Sequence, residues 1–255
     1  MKKKALPVGI ILLGLSLLIS CGNPASETPA TSDTTYTTAP SVVSAKFSDG
    51  STVNNATNVA NTVTSIDITF DQNMETGWSI KRNDKFLTYT CQWTDTKTVR
   101  VTFTSELSKG FAYSLILNPT GCTNPFKNTS GIALVSTTLA FTVTPYTTAP
   151  SVVSATFSSG DSAIGGTNIP SNVTFLDVVF DQRMSDGYSN GNNDTSLTST
   201  PATWQNRTTI RISFPSGLTP NFSYNFYLNM TGHQNYMNTS GIALPDTTLT
   251  FSTGS

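Results

Sequence analysis

Apolar and polar residues alternate in short runs along most of the chain that follows residue 35. The segment Ile66–Phe70 alternates with a period of two, and Val99–Phe103 does the same. This period indicates β-strands that have one buried and one solvent-facing side. Turn-forming residues separate the runs, and no segment after residue 20 shows a convincing helical period. The pattern predicts about seven short antiparallel strands in each stretch of roughly 110 residues, which is the profile of a β-sandwich.

The pattern occurs twice, because the sequence contains an internal duplication. Two stretches recur letter for letter: Tyr36–Ala45 as Tyr146–Ala155, and Asn128–Leu134 as Asn238–Leu244. Identities of this length exclude chance. We therefore expect two all-β domains, 36–145 and 146–255. The junction Pro145–Pro150 is short and begins and ends with proline, which favours a semi-rigid rod over free tumbling.

The first twenty residues have the layout of an export signal. A cationic start, Met1–Lys4, is followed by the apolar stretch Ala5–Ile19, which is shorter than the ~20 residues that a membrane-spanning helix needs. The stretch leads into Leu-Ile-Ser-Cys, ending at Cys21, and this sequence resembles a bacterial lipobox. The resemblance implies that residues 1–20 are removed and that Cys21 is lipidated, which anchors the protein in a membrane. An ordinary secretory signal with an incidental cysteine is the alternative.

The residues after the lipobox predict how the folded part is attached. The stretch 21–35 is small and polar after its cysteine and has no apolar periodicity, so we expect a flexible tether. The residue that follows the cysteine is Gly22 rather than Asp, so the familiar inner-membrane retention signal is absent. This favours the outer membrane or the cell surface as the location within a bacterial envelope.

Several short motifs follow one another in the same order in both copies. Val-Val-Ser-Ala-x-Phe comes first, then the strand ends Phe70–Met74 and Phe180–Met184, a tryptophan before the next alternating strand, and Gly-Ile-Ala-Leu. This order resembles the bacterial Ig-like domain of S-layer and other cell-surface proteins. Both copies depart from that family at Asn128 and Asn238, where Asn-Thr-Ser-Gly replaces the Asp and Gly-Asn that the family often carries. The resemblance implies tandem Ig-like sandwiches with a structural or adhesive role and no shared catalytic site.

Charge and composition argue against several functions. The chain has 14 Lys and Arg against 15 Asp and Glu, a net charge of −1, and three of the lysines fall in the segment that is expected to be removed. A nucleic-acid ligand needs a basic face, so we expect no nucleic-acid partner. The single histidine, His233, has no catalytic constellation around it in the sequence, and we expect it to lie in a surface loop. We therefore expect neither an enzyme nor a cofactor.

Cys91 and Cys122 are the two cysteines that remain beyond the lipobox. The second copy has Ala202 and His233 at the aligned positions, so both cysteines are missing together. Joint absence predicts a disulfide, which an exported protein can keep and which would stabilise the first domain by about 3–4 kcal/mol. Two free thiols, or a metal site with further ligands, are the alternatives.

Four aspartates occupy repeated positions on one strand of each copy. Asp67 and Asp71 correspond to Asp177 and Asp181, and the spacing places each pair on the solvent-facing side of its strand. A calcium site near the domain junction is one interpretation, because carboxylates supply hard oxygen ligands. The other is that Asp71 and Asp181 cap tight turns through their own backbone while the other two are solvated. No third acidic ligand is close in sequence, which favours the turns and no metal.

Aromatic residues divide into two groups by their context. Trp93 and Trp204 recur at aligned positions, so we expect them to pack in the core. Four others occur in loop-rich segments and are the candidate ligand contacts: Trp78, Phe126, Tyr188 and Tyr236. Local loop packing is the default interpretation of these four residues; ligand contact is the other, because loop aromatics on a rigid sandwich commonly bind glycans or proteins.

Together these features predict a membrane-anchored surface lipoprotein. We expect a monomer whose tandem Ig-like modules have a structural or adhesive role and present their loops to a protein or glycan ligand. A periplasm-facing envelope accessory protein that binds a polysaccharide or a protein partner is the alternative.

Overall fold

The computed structural model describes residues 34–197 and 201–255. Cys21, the signal and all but the end of the predicted tether lie outside these residues. The described residues form strands and turns, and none of their segments is a helix long and apolar enough to cross a membrane.

Each copy folds into two facing sheets. The strands of the first copy are β1 (Val42–Phe47), β2 (Ala56–Val59), β3 (Ser65–Phe70), β4 (Ile80–Arg82), β5 (Tyr89–Trp93), β6 (Thr98–Phe103), β7 (Ala112–Leu117) and β8 (Thr137–Val143). Those of the second copy are β9 (Val152–Phe157), β10 (Phe175–Phe180), β11 (Asn190–Asn192), β12 (Ala202–Trp204), β13 (Thr209–Ser213), β14 (Ser223–Leu228) and β15 (Thr247–Ser252).

Strand order identifies the fold. In the first copy the sheets run β1-β3-β6-β5 and β2-β8-β7-β4, with β2 parallel to β8 and all other pairs antiparallel. The second copy repeats this as β9-β10-β13-β12 and β11-β14-β15, and the place of β2 is reduced to a single parallel bridge between Ile169 and Thr253. This is the arrangement of the constant-type immunoglobulin sandwich, which confirms the predicted all-β, Ig-like fold class.

The alternating residues fill two separate cores. In β3 the side chains of Ile66, Ile68 and Phe70 are buried, and the first core is built from residues between Ala45 and Val143. The second core is built from residues between Ala155 and Phe251. Each sheet therefore buries one face against its partner sheet, which is the main source of stability in a sandwich.

A tyrosine fixes the crossing between the two sheets of each sandwich. The hydroxyl of Tyr113 accepts a hydrogen bond from the backbone N–H of Ser108, and Tyr224 accepts one from Thr219, both at 2.8 Å. Each tyrosine stands near the start of its strand and bonds a backbone group five residues upstream. This is the tyrosine corner of Ig-like sandwiches, and both copies keep it.

Candidate functional site

Two of the four candidate contact aromatics are core residues. Phe126 and Tyr236 are fully buried, so their prediction as exposed loop contacts is wrong. The cause is an asparagine clamp: the Asn118 amide donates to the backbone carbonyls of Phe126 and Leu134, both at 2.9 Å, and accepts from the Phe126 N–H at 2.7 Å. Asn229 makes the same three bonds in the second copy.

The clamped aromatics complete a ring cluster in each sandwich. Phe126 lies 6.1 Å from the ring of Trp93, and Tyr236 lies 6.2 Å from that of Trp204. Trp93 and Trp204 thus pack where the sequence predicted. Burial raises the pKa of Tyr236 far above its usual range, although its hydroxyl donates to Asn190 Oδ1 at 2.6 Å.

The other two candidate aromatics stay at the surface. Trp78 is 37% exposed and Tyr188 is 41% exposed. They occupy equivalent positions in the two copies, just before β4 and β11. Their role as ligand contacts remains a prediction.

The predicted disulfide is not formed, and the structure holds Cys91 and Cys122 as free thiols. Cys91 lies on β5 and packs against the first core, where burial raises the pKa of its thiol to about 12. Cys122 lies in the turn after β7, a strand of the other sheet, and its N–H donates to the carbonyl of Pro119 at 3.1 Å. Cys91 thus lies within one sheet, and Cys122 lies in a turn that follows a strand of the other.

Two of the four repeated aspartates form ion pairs with arginines, where the sequence predicted solvated side chains. Asp67 binds Arg100 through two bonds of 2.7 Å, and Asp177 binds Arg211 through two of 2.8 Å, across neighbouring strands. The hydrogen bond from the guanidinium holds the pKa of Asp67 below its ordinary value. No group of three potential ligands for a metal occurs in the part of the chain that the structure describes.

Asp71 and Asp181 also have partners that the sequence did not suggest. Asp71 accepts from the N–H and hydroxyl of Ser41, at 2.8 and 3.0 Å, and Asp181 accepts likewise from Ser151. These bonds fasten the segment before the first strand of each copy, so both interpretations of these aspartates are corrected. His233 lies exposed in a turn, as predicted.

The junction between the two sandwiches is built around a buried ion pair. Arg207 of the second copy donates to Asp84 Oδ1 of the first from Nη2 at 2.7 Å and from Nε at 3.2 Å. The side chains are only 3% and 2% exposed. The Arg207 guanidinium also donates to the Met184 carbonyl at 3.2 Å and lies 5.0 Å from the ring centre of Phe86 and 5.2 Å from that of Phe111.

A close backbone approach adds to this junction. Gly110 has a φ of +71°, and a Cβ atom there would lie 2.8 Å from Cα of Ser240 in the second copy. The second copy has Asn221 at the position of Gly110, with a φ of +52°, so the left-handed backbone alone admits a side chain there. Thr239 donates to the Lys109 carbonyl alongside. The close approach across the junction therefore requires glycine at position 110.

The second copy also has an aspartate, Asp194, at the position of Asp84, but the hydrogen bonds to its carboxylate come from different groups. Asp194 accepts hydrogen bonds from the hydroxyls of Ser196 and Thr219, both at 2.6 Å, and of Tyr224, at 2.7 Å. Burial would raise the pKa of Asp194, but these hydrogen bonds outweigh it and hold the pKa well below the ordinary value. In the first copy the counterparts of Ser196 and Thr219 are Phe86 and Ser108, and the Ser108 hydroxyl has no hydrogen-bond partner.

A groove of about 560 Å³ lies on the first sandwich, beside β4, and we call it the cationic groove. Its lining consists of Ser79, Ile80, Lys81, Arg82, Asn83, Lys85, Pro119, Thr120, Gly121, Cys122 and Thr123, which include three cations and no carboxylate. Trp78 directly precedes the lining residue Ser79; its ring is 6.3 Å from that of Tyr89, and the lining residue Arg82 lies 5.7 Å from the ring centre of Tyr89.

Comparison with known proteins gives likenesses among solved structures alone. No family model matches the chain, and no curated protein matches it. The chain is similar to a tandem pair of titin Ig domains, at 11% identity over 84% of this chain and 96% of that one, with a TM-score of 0.30. It is also similar to the S-layer protein SbsC, at 14% identity over 85% of this chain and 26% of that one, with a TM-score of 0.28.

Proposed function

We propose that this chain is a lipid-anchored protein of a bacterial cell surface whose two Ig-like sandwiches form one stiff arm with a structural or adhesive role. Cys21 would supply the anchor and residues 21–35 the tether. The arm would hold its exposed loops and grooves away from the membrane, where a ligand can reach them.

The observation that carries the proposal is the buried pair of Asp84 and Arg207. Moving two charges out of water costs several kcal/mol for each ion, and the attraction between them offsets this only in a precise geometry. The junction is therefore favourable in one docked arrangement and unfavourable when the domains are slightly displaced. A pair of modules docked in this way keeps one orientation, which is what a spacer or a presenting arm requires.

Protease treatment of intact cells that carry the full-length chain tests the surface location. Loss of the protein from unbroken cells would support the proposal. Protection until the envelope is ruptured would overturn it and favour the periplasm-facing accessory protein instead.

The matched control for the anchor is Cys21→Ser, which removes the thiol that would be lipidated and changes nothing in the described fold. We expect this variant to leave the membrane fraction and to incorporate no labelled fatty acid. A variant that stays in the membrane fraction would contradict the anchor.

A further inference from the structure

The two copies differ in chemistry at the fourth strand while keeping the same geometry there. β4 pairs with β7 through Ile80 and Leu117, and β11 pairs with β14 through Asn190 and Leu228, in the same register. Yet β4 reads Ile-Lys-Arg where β11 reads Asn-Gly-Asn. The second copy builds this strand without charge, so the fold does not require Lys81 and Arg82.

The charges of the cationic groove are available to a ligand. Lys81 and Arg82 are exposed, and neither forms an ion pair among the residues that the structure describes. Lys85 lies 3.3 Å from Asp186, but both side chains are about 60% exposed, and such surface pairs are weak. The adjacent Asp84 is already neutralised by Arg207. The groove therefore presents uncompensated positive charge in a chain whose net charge is −1.

An aromatic platform stands beside these charges. Trp78 presents 37% of its surface to solvent, and the hydroxyl of Tyr89 donates to the Ile80 carbonyl at 2.8 Å, which fixes that ring against β4. A rigid aromatic ring can pack against the apolar face of a sugar ring, and the cations beside it would bind anionic substituents. Hydroxyl and backbone groups of Thr120–Thr123 complete the groove with polar partners.

We propose that the cationic groove binds an acidic polysaccharide, with carboxylate or sulfate groups at Lys81 and Arg82 and a sugar ring against Trp78. This names a ligand class for the adhesive role proposed above and rests on that role. The volume of about 560 Å³ is in the range of small-ligand sites and suits a few sugar units. Three cations on one concave surface are few for the many phosphate contacts of a nucleic acid.

The test measures binding of the purified full-length protein, in detergent micelles, to polygalacturonate and to dextran sulfate, with neutral dextran as the reference. The test variant is the pair Lys81→Gly and Arg82→Asn, which installs the residues that β11 carries. The control variant is the pair Lys46→Thr and Lys97→Thr, which removes two cations elsewhere on the first sandwich and also installs the residues of the second copy.

We expect the wild-type protein to bind at least one polyanion, more weakly as salt is raised, and not to bind dextran. Affinity should fall about tenfold or more in the test variant and stay within about twofold in the control. Trp78→Ala should also weaken binding, which separates a sugar site from simple charge attraction.

Three results would overturn the proposal: no binding of either polyanion, equal losses in the two double variants, or binding of phosphatidylglycerol vesicles in place of the polyanions. Binding in solution does not depend on where the protein resides in the cell. Failure here is therefore distinguishable from failure of the protease experiment, which tests the location.

Discussion

Replacing Arg207 with alanine is expected to separate the two sandwiches while leaving each one folded. The change removes two charged hydrogen bonds to Asp84 and the contacts with the rings of Phe86 and Phe111. Removing one partner of a buried ion pair costs about 3–5 kcal/mol, because the other charge is left buried without compensation. Undocking lets Asp84 regain water, so the loss should appear as weakened docking of the domains rather than as unfolding of either one.

Amide hydrogen exchange measures this docking directly. Peptides that cover residues 84–87 and 108–111 lie at the junction, and a loss of about 3–5 kcal/mol corresponds to exchange that is faster by about one hundred to a few thousand times. Peptides from the centres of β3 and β10 should exchange at their wild-type rates, because their hydrogen bonds are within the sheets.

The control is Arg211→Ala, which removes an arginine that also pairs with an aspartate, but with side chains that are 38% and 27% exposed. Surface pairs contribute about 1 kcal/mol or less, so this variant should leave the junction peptides unchanged. The reasoning fails if Arg207→Ala and Arg211→Ala have the same effect, or if a double-mutant cycle of Asp84→Ala with Arg207→Ala gives a coupling energy near zero.

Three further predictions test other parts of the fold. Gly110→Asn, which installs the residue of the second copy, should clash with Ser240 and speed exchange at the junction, and unchanged exchange would contradict the close approach. In urea unfolding, Tyr224→Phe should cost more than Tyr113→Phe, each on the order of 1–3 kcal/mol, because only the Tyr224 hydroxyl also donates a short bond to a carboxylate. Asp194→Asn should lower the free energy of unfolding by roughly 1–3 kcal/mol at pH 7 and by less at pH 2.5. Because the fold lowers the pKa of Asp194, the contribution of this carboxylate to stability is present above the unfolded pKa of about 3.9 and is lost on acidification. An equal difference at both pH values would refute this.

The fold was predictable because its main determinants are local and repeated. Alternation within segments such as Ile66–Phe70 depends on neighbouring residues alone, and the duplication shows most strands twice. The buried loop aromatics were not predictable in this way. Phe126 lies in a polar stretch of sequence, and it is buried because Asn118 binds its backbone and draws the loop inward.

The junction was missed because it depends on residues that are far apart in sequence. Asp84 and Arg207 belong to different copies, and neither stands in a recognisable motif. A signal was nevertheless present in the differences between the copies: Arg207 occupies the position of Thr96, and Gly110 that of Asn221. In a duplicated chain, positions that are identical in the two copies indicate what the shared fold requires. Charged residues and glycines that occur in one copy only indicate a role specific to that copy.

The aspartates Asp84 and Asp194 obtain their hydrogen-bond partners from different parts of the chain. Asp194 has all its partners within its own sandwich, while Asp84 takes its strongest partner from Arg207, a residue that emerges later during synthesis. Asp194 therefore gains its partners as soon as the second sandwich folds, whereas Asp84 must wait for Arg207. Folding during synthesis therefore has an order: the N-terminal half of the chain reaches its final structure only after the C-terminal half has been made.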